Sequence, residues 1–250
     1  MSVICPSGTR IGLNMNTWRE EITGGLLGAR NHAEAFEWVT RYGNELGFEH
    51  CAYGMRAPLP ISRTPFSLLS NYPECWQRRY KERNYLLIDP TVRHGLGSTS
   101  PILWPTDPVD GREFWEEAWA AGLRHGWAQA SRDASGAVGM LSFARAEERI
   151  TASELDHIES KMALLAQTAH IVLSSFLMPS VLPESTRKLS LREREILRWT
   201  AEGKTSYEIG SILGVTARTI NFHVNNAVAK LAASNKTHAV VKAALLGILF

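Results

Sequence analysis

Length, composition and charge indicate a two-domain chain with an acidic body and a basic end. The 250 residues are 44% hydrophobic and include eight tryptophans, so the chain can bury a substantial core. Residues 187–250 hold 10 Lys/Arg and 4 Asp/Glu, a net charge of +6, whereas the first 186 residues carry a net charge of −4. A basic module of this kind suits the neutralisation of phosphates, which favours a nucleic-acid partner.

The cysteines and the hydropathy pattern argue against several classes of protein. Cys5, Cys51 and Cys75 form neither an even disulfide framework nor a metal-ligand spacing, which predicts a reducing cytoplasm and no metal site. We find no signal peptide and no stretch approaching the roughly 20 apolar residues of a membrane span. We therefore expect a cytoplasmic protein without a membrane partner, whose signal reaches it inside the cell.

The first 176 residues alternate between helices and short strands. The predicted elements are a helix at 31–46, a strand at 50–55, a helix at 73–83, strands near residue 103, at 127–131 and at 138–144, and a long helix at 151–176. This order predicts an α+β fold, with an α/β/α sandwich around a central antiparallel sheet. Pro179 and Pro183 are expected to break the long helix. The predicted domains are therefore 1–176, a linker at 177–187, and 188–250.

Aromatic side chains recur at helical spacing in the first domain. Pro73 suits the first helical position, which places Tyr72 at the helix entrance and Trp76 and Tyr80 one turn apart on the same side. These rings are expected to form one wall.

A carboxylate follows this aromatic wall. Pro90 holds Asp89 in an extended backbone, and a carboxylate buried among aromatics needs a hydrogen-bond donor. A ligand amide can supply that donor. The alternative is an ordinary core in which Asp89 pairs with Arg83 or Arg93.

Three short helical patterns follow one another at the C-terminal end. Ser190 with Glu193 and Thr205 with Glu208 have the spacing of capping boxes. Only Gly214 and Val215 separate the second pattern from the third. Two short helices joined by so tight a turn predict helix-turn-helix geometry.

The third pattern has a polar face that suits a groove of DNA. Arg218, Asn221, Phe222 and Asn225 have the i, i+3, i+4, i+7 spacing of one stripe. Asparagine can read an adenine edge, and cations bind phosphates. A merely solvated face is the alternative, which the local charge disfavours. The candidate DNA-binding residues are Lys204, Thr205, Arg218, Thr219, Asn221, His223, Asn225 and Lys230.

The C-terminal residues resemble the DNA-binding domain of LuxR-type regulators. The resemblance rests on LREREIL at 191–197, GKT at 203–205 and TINFH at 219–223, with Glu193, Leu197 and Gly203 at the hallmark positions. It implies an all-α, four-helix helix-turn-helix domain. Two-component response regulators share this output domain, so the first 186 residues have to indicate the signal.

The aromatic wall is similar to part of the autoinducer-binding domain of LuxR-type receptors. The pattern is Trp-x3-Tyr-x8-Asp-Pro followed by Trp104. Segments 69–73, 124–127 and 140–142 resemble most closely the QscR-like orphan receptors of this family. Ala52 is a departure, because a pocket serine is expected there, and it leaves the finer head-group contacts open.

The resemblance implies an N-acyl-homoserine lactone as ligand and no other cofactor. By that resemblance, the indole N–H of Trp76 binds the lactone carbonyl, Asp89 accepts the amide N–H, and Tyr72 donates to the acyl oxygen. Tyr80 and Trp104 then enclose the head group, and Ser142 lies near the amide. Candidates for the wall of the acyl tail, which we expect to be long, are Tyr53, Met55, Leu68, Leu86, Leu87, Ile88, Val92, Met140 and Phe143.

The predicted mechanism couples ligand binding to folding and dimerisation. A buried ligand stabilises only the folded state, and helices 151–176 and 237–249 then pair two copies. The homodimer is expected to bind double-stranded DNA with a palindromic operator. For the last helix, packing within its own domain is an equal alternative. The regulator could also respond to another amphiphile or act without ligand.

Two other classes of protein fit less well. A response regulator needs an acidic pair after a first strand, which the sequence lacks. A lactone hydrolase could use Asp89 with His94 or His125, yet no nucleophile elbow or metal motif accompanies them. We therefore expect no catalytic residues.

Overall fold

The computed structural model describes residues 15–183 and 188–249, so Cys5 and part of the predicted linker lie outside the described residues. The strands are β1 (His50–Arg56), β2 (Phe66–Ser70), β3 (Ile102–Leu103), β4 (His125–Arg132) and β5 (Val138–Arg145). They form one antiparallel sheet in the order β2-β1-β5-β4-β3. The helices are α1 (Met15–Leu27), α2 (His32–Glu45), α3 (Glu74–Glu82), α4 (Pro90–Gly97), α5 (Arg112–Ala120), α6 (Ala152–Val181), α7 (Leu191–Ala201), α8 (Ser206–Leu213), α9 (Ala217–Lys230) and α10 (Lys236–Leu245), with a 3₁₀ turn at Tyr85–Leu87.

Helices cover both faces of the sheet, which confirms the predicted α/β/α sandwich. On one face, α2 and α6 pack over a closed core that includes Tyr53, Met55 and Phe143. On the other face, α4 packs on β4 and β5, and α3 and α5 contribute to a second, aromatic-rich cluster. Side chains alternate along β1, so Ala52, Gly54 and Arg56 face this second layer.

Helix α6 is longer than the sequence predicts. Thr151 caps it as expected, but it continues past Phe176 to Val181 with Pro179 inside it. The prediction that Pro179 breaks the helix is wrong, because Leu177, Met178 and Leu182 are buried and hold the last turn in place.

The same helix is long and apolar enough, by length and composition alone, to cross a membrane. This differs from the expectation that no segment approaches a span. Within the protein, 56% of the most apolar 18-residue stretch of this helix is buried, as is usual for a core helix.

The C-terminal helices form the predicted helix-turn-helix domain. Both capping boxes are present, at Ser190 with Glu193 and at Thr205 with Glu208. The turn between α8 and α9 is tight: Gly214 has a φ of 67°, and a Cβ on Gly210 would lie 2.7 Å from the Val215 carbonyl oxygen. The two helices therefore pack closely.

Helix α10 packs within its own domain through one face. Its residues Ala239 and Ala243 are buried against α7 and α9, whereas Val241 and Leu245 stay more than a third exposed. It ends at Leu245, earlier than predicted, and Gly247 follows with a φ of 65°.

Candidate ligand cavity and DNA-reading surface

A cavity of about 390 Å³ lies between the sheet and helices α3, α4 and α5. Six side chains predicted to bind the ligand head group all line it: Tyr72, Trp76, Tyr80, Asp89, Trp104 and Ser142. The fold brings them from five separate segments: the residues before α3, α3 itself, the start of α4, the end of β3, and β5.

Asp89 lies at the N-terminus of α4 with a defined orientation. One carboxylate oxygen, Oδ1, accepts hydrogen bonds from the backbone N–H and the hydroxyl of Thr91 at 2.8 and 2.7 Å. The other, Oδ2, accepts from the Tyr80 hydroxyl at 2.9 Å. The alternative ion pair is wrong, because Arg83 and Arg93 pair with acidic residues elsewhere.

Burial dominates the electrostatics of this carboxylate. It raises the pKa of Asp89 above the usual range, against the hydrogen bonds from Thr91 and Tyr80, which lower it. The charged form therefore benefits from any further donor. Oδ2 has capacity to accept one, because its only described donor is Tyr80.

Two buried donors at the cavity have no hydrogen-bond partner among the described residues. They are the hydroxyl of Tyr72 and the indole Nε1–H of Trp104. Burial raises the pKa of Tyr72 well above its usual value, and the neighbouring Ser142 hydroxyl lowers it in part. The contact between the two hydroxyls does not have the geometry of a normal hydrogen bond. Each unsatisfied buried donor costs about 1–3 kcal/mol, so a polar ligand atom at this point would be stabilised.

Trp76 and Trp104 form the aromatic walls of the cavity. Trp76 is 4% exposed and packs edge to face on Tyr80, with ring centroids 5.9 Å apart. Trp104 packs on Trp115 at 5.4 Å and lies so close over Gly126 that a Cβ there would overlap its ring. Gly126 is therefore required for this position of Trp104, a constraint that the sequence analysis missed.

An ion pair behind Trp76 holds α3 against α5. Arg79 binds both carboxylate oxygens of Glu117 at 2.7 and 2.6 Å, and the Tyr85 hydroxyl donates to Glu117 at 2.7 Å. Hydrogen bonds from Arg79 and Tyr85 lower the pKa of Glu117 to about 2. Local sequence patterns do not reveal this contact, because it joins residues far apart in the chain.

The sheet side of the cavity consists of three successive rows of side chains. Strand pairing places Ala52 beside Ser70 and Ser142, then Gly54 beside Leu68 and Met140, and finally Arg56 beside Phe66 and Val138. The first row lies at the polar end, and the later rows are largely apolar.

These rows test the predicted tail wall. Leu68, Leu86, Leu87, Val92 and Met140 line the cavity as predicted. The prediction is wrong for Tyr53, Met55 and Phe143, which belong to the closed core on the other face of the sheet. It is also wrong for Ile88, which does not line this cavity and is 57% exposed.

Helix α9 presents the predicted polar stripe. Arg218, Asn221 and Asn225 are exposed, as are Lys204 and Thr205 at the start of α8. Thr219 and His223 are half-buried beside the stripe. The face is therefore available to a groove of DNA.

Two contacts refine this surface. The Ser206 hydroxyl donates to Oδ1 of Asn221 at 2.7 Å and thereby orients the amide, which the sequence analysis missed. The Lys230 ammonium binds both carboxylate oxygens of buried Glu193 at 2.9 and 2.7 Å. That ion pair joins α9 to α7, so the geometry gives Lys230 a structural position and does not support its predicted contact with phosphate.

Comparison with known proteins identifies both domains. A family model described as autoinducer binding domain matches residues 31–173, and one described as bacterial regulatory proteins, luxR family, matches residues 187–243. The chain belongs to the LuxR family of autoinducer-binding transcriptional regulators. The resemblance noted in the sequence is thus confirmed.

Full-length relatives of this LuxR-family chain include both activators and repressors. The transcriptional activator protein AnoR of Acinetobacter nosocomialis is 42% identical over 238 residues, which cover 94% of this chain and 100% of AnoR. The transcriptional repressor ThaA of Burkholderia thailandensis is 40% identical over 246 residues, which cover 94% and 99% of the two chains. These names indicate a non-enzymatic function.

A solved structure shares the two-domain LuxR fold. SdiA of Escherichia coli in complex with octanoyl-rac-glycerol is 33% identical, with a TM-score of 0.81 over 94% of this chain and 97% of SdiA. The predicted fold of both domains is therefore confirmed.

Proposed function

We propose that this regulator binds an N-acyl-homoserine lactone, with a long acyl chain, in the cavity beside Trp76 and Asp89. The observation that carries the proposal is the set of polar groups gathered at one end of a largely apolar cavity. Tyr72 offers an unpaired hydroxyl, and Asp89 offers a carboxylate oxygen with a free lone pair. An acyl amide has the one acceptor and the one donor that these two groups require.

The remaining head-group contacts follow from the same geometry. The indole N–H of Trp76, which lines the cavity, can donate to a lactone carbonyl. Tyr80 is fixed by its bond to Asp89, so its ring and that of Trp104 enclose the lactone. Ser142, in the first row of the sheet, lies beside the amide position.

Ligand binding then supports a homodimer on palindromic DNA in the bacterial cytoplasm. Ile171 on α6 is 50% exposed, and Val241 on α10 is 38% exposed, so each helix has an apolar group that a second copy can cover. A two-fold pair of α9 helices suits two half-sites about one helical turn apart. Under this proposal, Lys204 and Arg218 bind phosphates, and Asn221 and Asn225 contact bases. Thr205, Thr219 and His223 complete the contact surface.

A second candidate ligand is a monoacylglycerol, because the structurally similar SdiA was solved with octanoyl-rac-glycerol. A glycerol head offers hydroxyl donors to Asp89 in place of an amide N–H, and its acyl tail can bury in the same way. The two ligands share the tail and differ at the head group.

The test is ligand-dependent stabilisation of purified protein. The protein is produced with and without added lactones or a monoacylglycerol, and the molecules that co-purify with it are identified by mass spectrometry. The melting temperature and the oligomeric state of each sample are then measured. At a hundredfold excess over Kd, a ligand stabilises the fold by about 2.7 kcal/mol.

Trp76→Phe removes the indole N–H but keeps an aromatic ring, so it should weaken lactone binding. Trp38→Phe is the matched control, because Trp38 stacks on Tyr42 away from the cavity. Folded protein that neither retains a lactone nor gains stability from one would refute the proposal. Selective retention of the monoacylglycerol would favour the second ligand.

A further inference from the structure

A charged group, Arg56, lies at the far end of the cavity. Arg56 is in the third row of the sheet, opposite the polar end, and its guanidinium donates to the Thr64 hydroxyl at 3.0 Å. From Ser142 to Val138 the strand advances four residues, about 13 Å at roughly 3.3 Å per residue. A ligand fixed at Trp76 and Asp89 therefore directs its tail along the strands towards Arg56.

Closely packed residues border the path to this pair. The Phe66 ring lies over Gly54, where a Cβ would come within 2.9 Å of the ring. Gly95 of α4 approaches the sheet closely on the other side, with its hypothetical Cβ 3.0 Å from the Met140 sulfur. A straight, unbranched tail fits such a channel and meets the Arg56 and Thr64 side chains at its end.

A single side-chain hydrogen bond holds the Arg56 guanidinium in place. Its side chain is exposed, and among the described residues it forms no ion pair, with Thr64 as its one hydrogen-bond partner. Its methylene stem can pack against apolar atoms, but its charged head keeps contact with water because burying an ion is costly. A tail longer than the channel must therefore displace the guanidinium and break its bond to Thr64.

We propose that Arg56, tethered by Thr64, sets the upper length of the acyl tail that this regulator accepts. The proposal rests on the proposed function, since it requires a head group anchored at Trp76 and Asp89. Below the limit, each added methylene is buried and should raise affinity about fourfold. Beyond the limit, the gain should stop or reverse.

The experiment measures Kd for a homologous series of saturated N-acyl-homoserine lactones with wild type, Arg56→Ala and Thr64→Val. In Arg56→Ala the affinity maximum should move to longer tails, with a further fourfold gain or so for each methylene that the freed space accepts. Short-tailed lactones should change by less than about twofold, because they do not reach Arg56. Thr64→Val keeps the side-chain volume and frees the guanidinium, so it should move the affinity maximum in the same direction. This variant provides the test if Arg56→Ala does not fold.

Arg63→Ala is the matched control, because Arg63 is exposed beside Thr64 in the connection between β1 and β2 but does not line the cavity. It should leave the maximum in place. An unchanged maximum in Arg56→Ala, or an equal shift in Arg63→Ala, would overturn the inference. Folded wild-type protein that binds no lactone of any length would instead overturn the proposed function, so the two failures can be distinguished.

Discussion

Replacing Asp89 by asparagine should weaken ligand binding without unfolding the first domain. Asparagine keeps an oxygen that can accept from the Thr91 backbone N–H, and it is a good helix-capping residue. Its amide nitrogen would take the place of the oxygen that Tyr80 contacts and that the ligand N–H requires. The N–H₂ donor of the asparagine would then face the O–H of Tyr80 and the N–H of the ligand, which are donors as well.

The size of the effect follows from the charge on the acceptor. A hydrogen bond to an ionised group contributes about 1.5–3 kcal/mol, so its loss should raise Kd about 10- to 150-fold. The stability of the ligand-free protein should change far less, because burial of the Asp89 charge is unfavourable and its removal offsets part of the lost bonding.

The assay is a lactone titration by calorimetry, together with thermal unfolding in the absence of ligand. Asp110→Asn is the control, since Asp110 is an exposed partner of Arg93 and does not line the cavity. Equal Kd values for Asp89→Asn and Asp110→Asn would show that Asp89 does not contact the ligand. A collapse of ligand-free stability would show that its role is structural.

Three further predictions test the surroundings of the cavity and the DNA surface. The folded pKa of Glu117 is depressed from 4.5 to about 2, so its stabilising ion pair should be lost as the pH falls through that range. Glu117→Gln should abolish this part of the pH dependence of unfolding. Superimposable plots of stability against pH for the wild type and the variant would contradict the prediction. Gly126→Ala should lower stability by about 1–3 kcal/mol and weaken ligand binding, because the Cβ overlaps the Trp104 ring; unchanged melting and Kd would contradict it. In DNA titrations at several salt concentrations, Lys204→Ala should weaken binding to all sequences and reduce the slope of log affinity against log salt concentration by about one. Asn221→Ala should instead cost about 1–3 kcal/mol of discrimination between sites. The reverse pattern would mean that the two roles are exchanged.

Sequence patterns predicted most of the fold because they are local. Capping boxes, helical spacing and alternating strands each depend on residues a few positions apart, and the C-terminal helices followed from them. Strand β2 and helices α1, α4 and α5 were not predicted, and for β2 and α4 the reasons are local too. β2 contains only five residues, and α4 includes Gly95 and Gly97, which weaken a helical pattern.

The candidate head-group site was predicted through family resemblance, whereas the tail wall needed strand geometry. Adjacent residues of a strand face opposite sides, so Tyr53 cannot line the cavity if Ala52 does. That error was avoidable from the sequence. The contacts of Arg79 with Glu117 and of Ser206 with Asn221 were not, because each joins elements whose relative position depends on the complete packing.

The ligand cavity and the DNA-binding domain are connected through the backbone of one hairpin. Strand β5 lines the cavity with Met140 and Ser142, and the turn that precedes it packs against the end of α10 so closely that neither Gly136 nor Gly247 has room for a Cβ. Asp133 fixes this turn, because it accepts hydrogen bonds from the Ser135 backbone and, on α6, from Ser174 at 2.8 Å each. Under the proposed function, a ligand that stabilises β5 also stabilises the surface on which the DNA-binding domain rests. Occupancy of the cavity then changes DNA binding although the small molecule and the DNA do not contact each other. The binding of each depends on the folded state of the same hairpin.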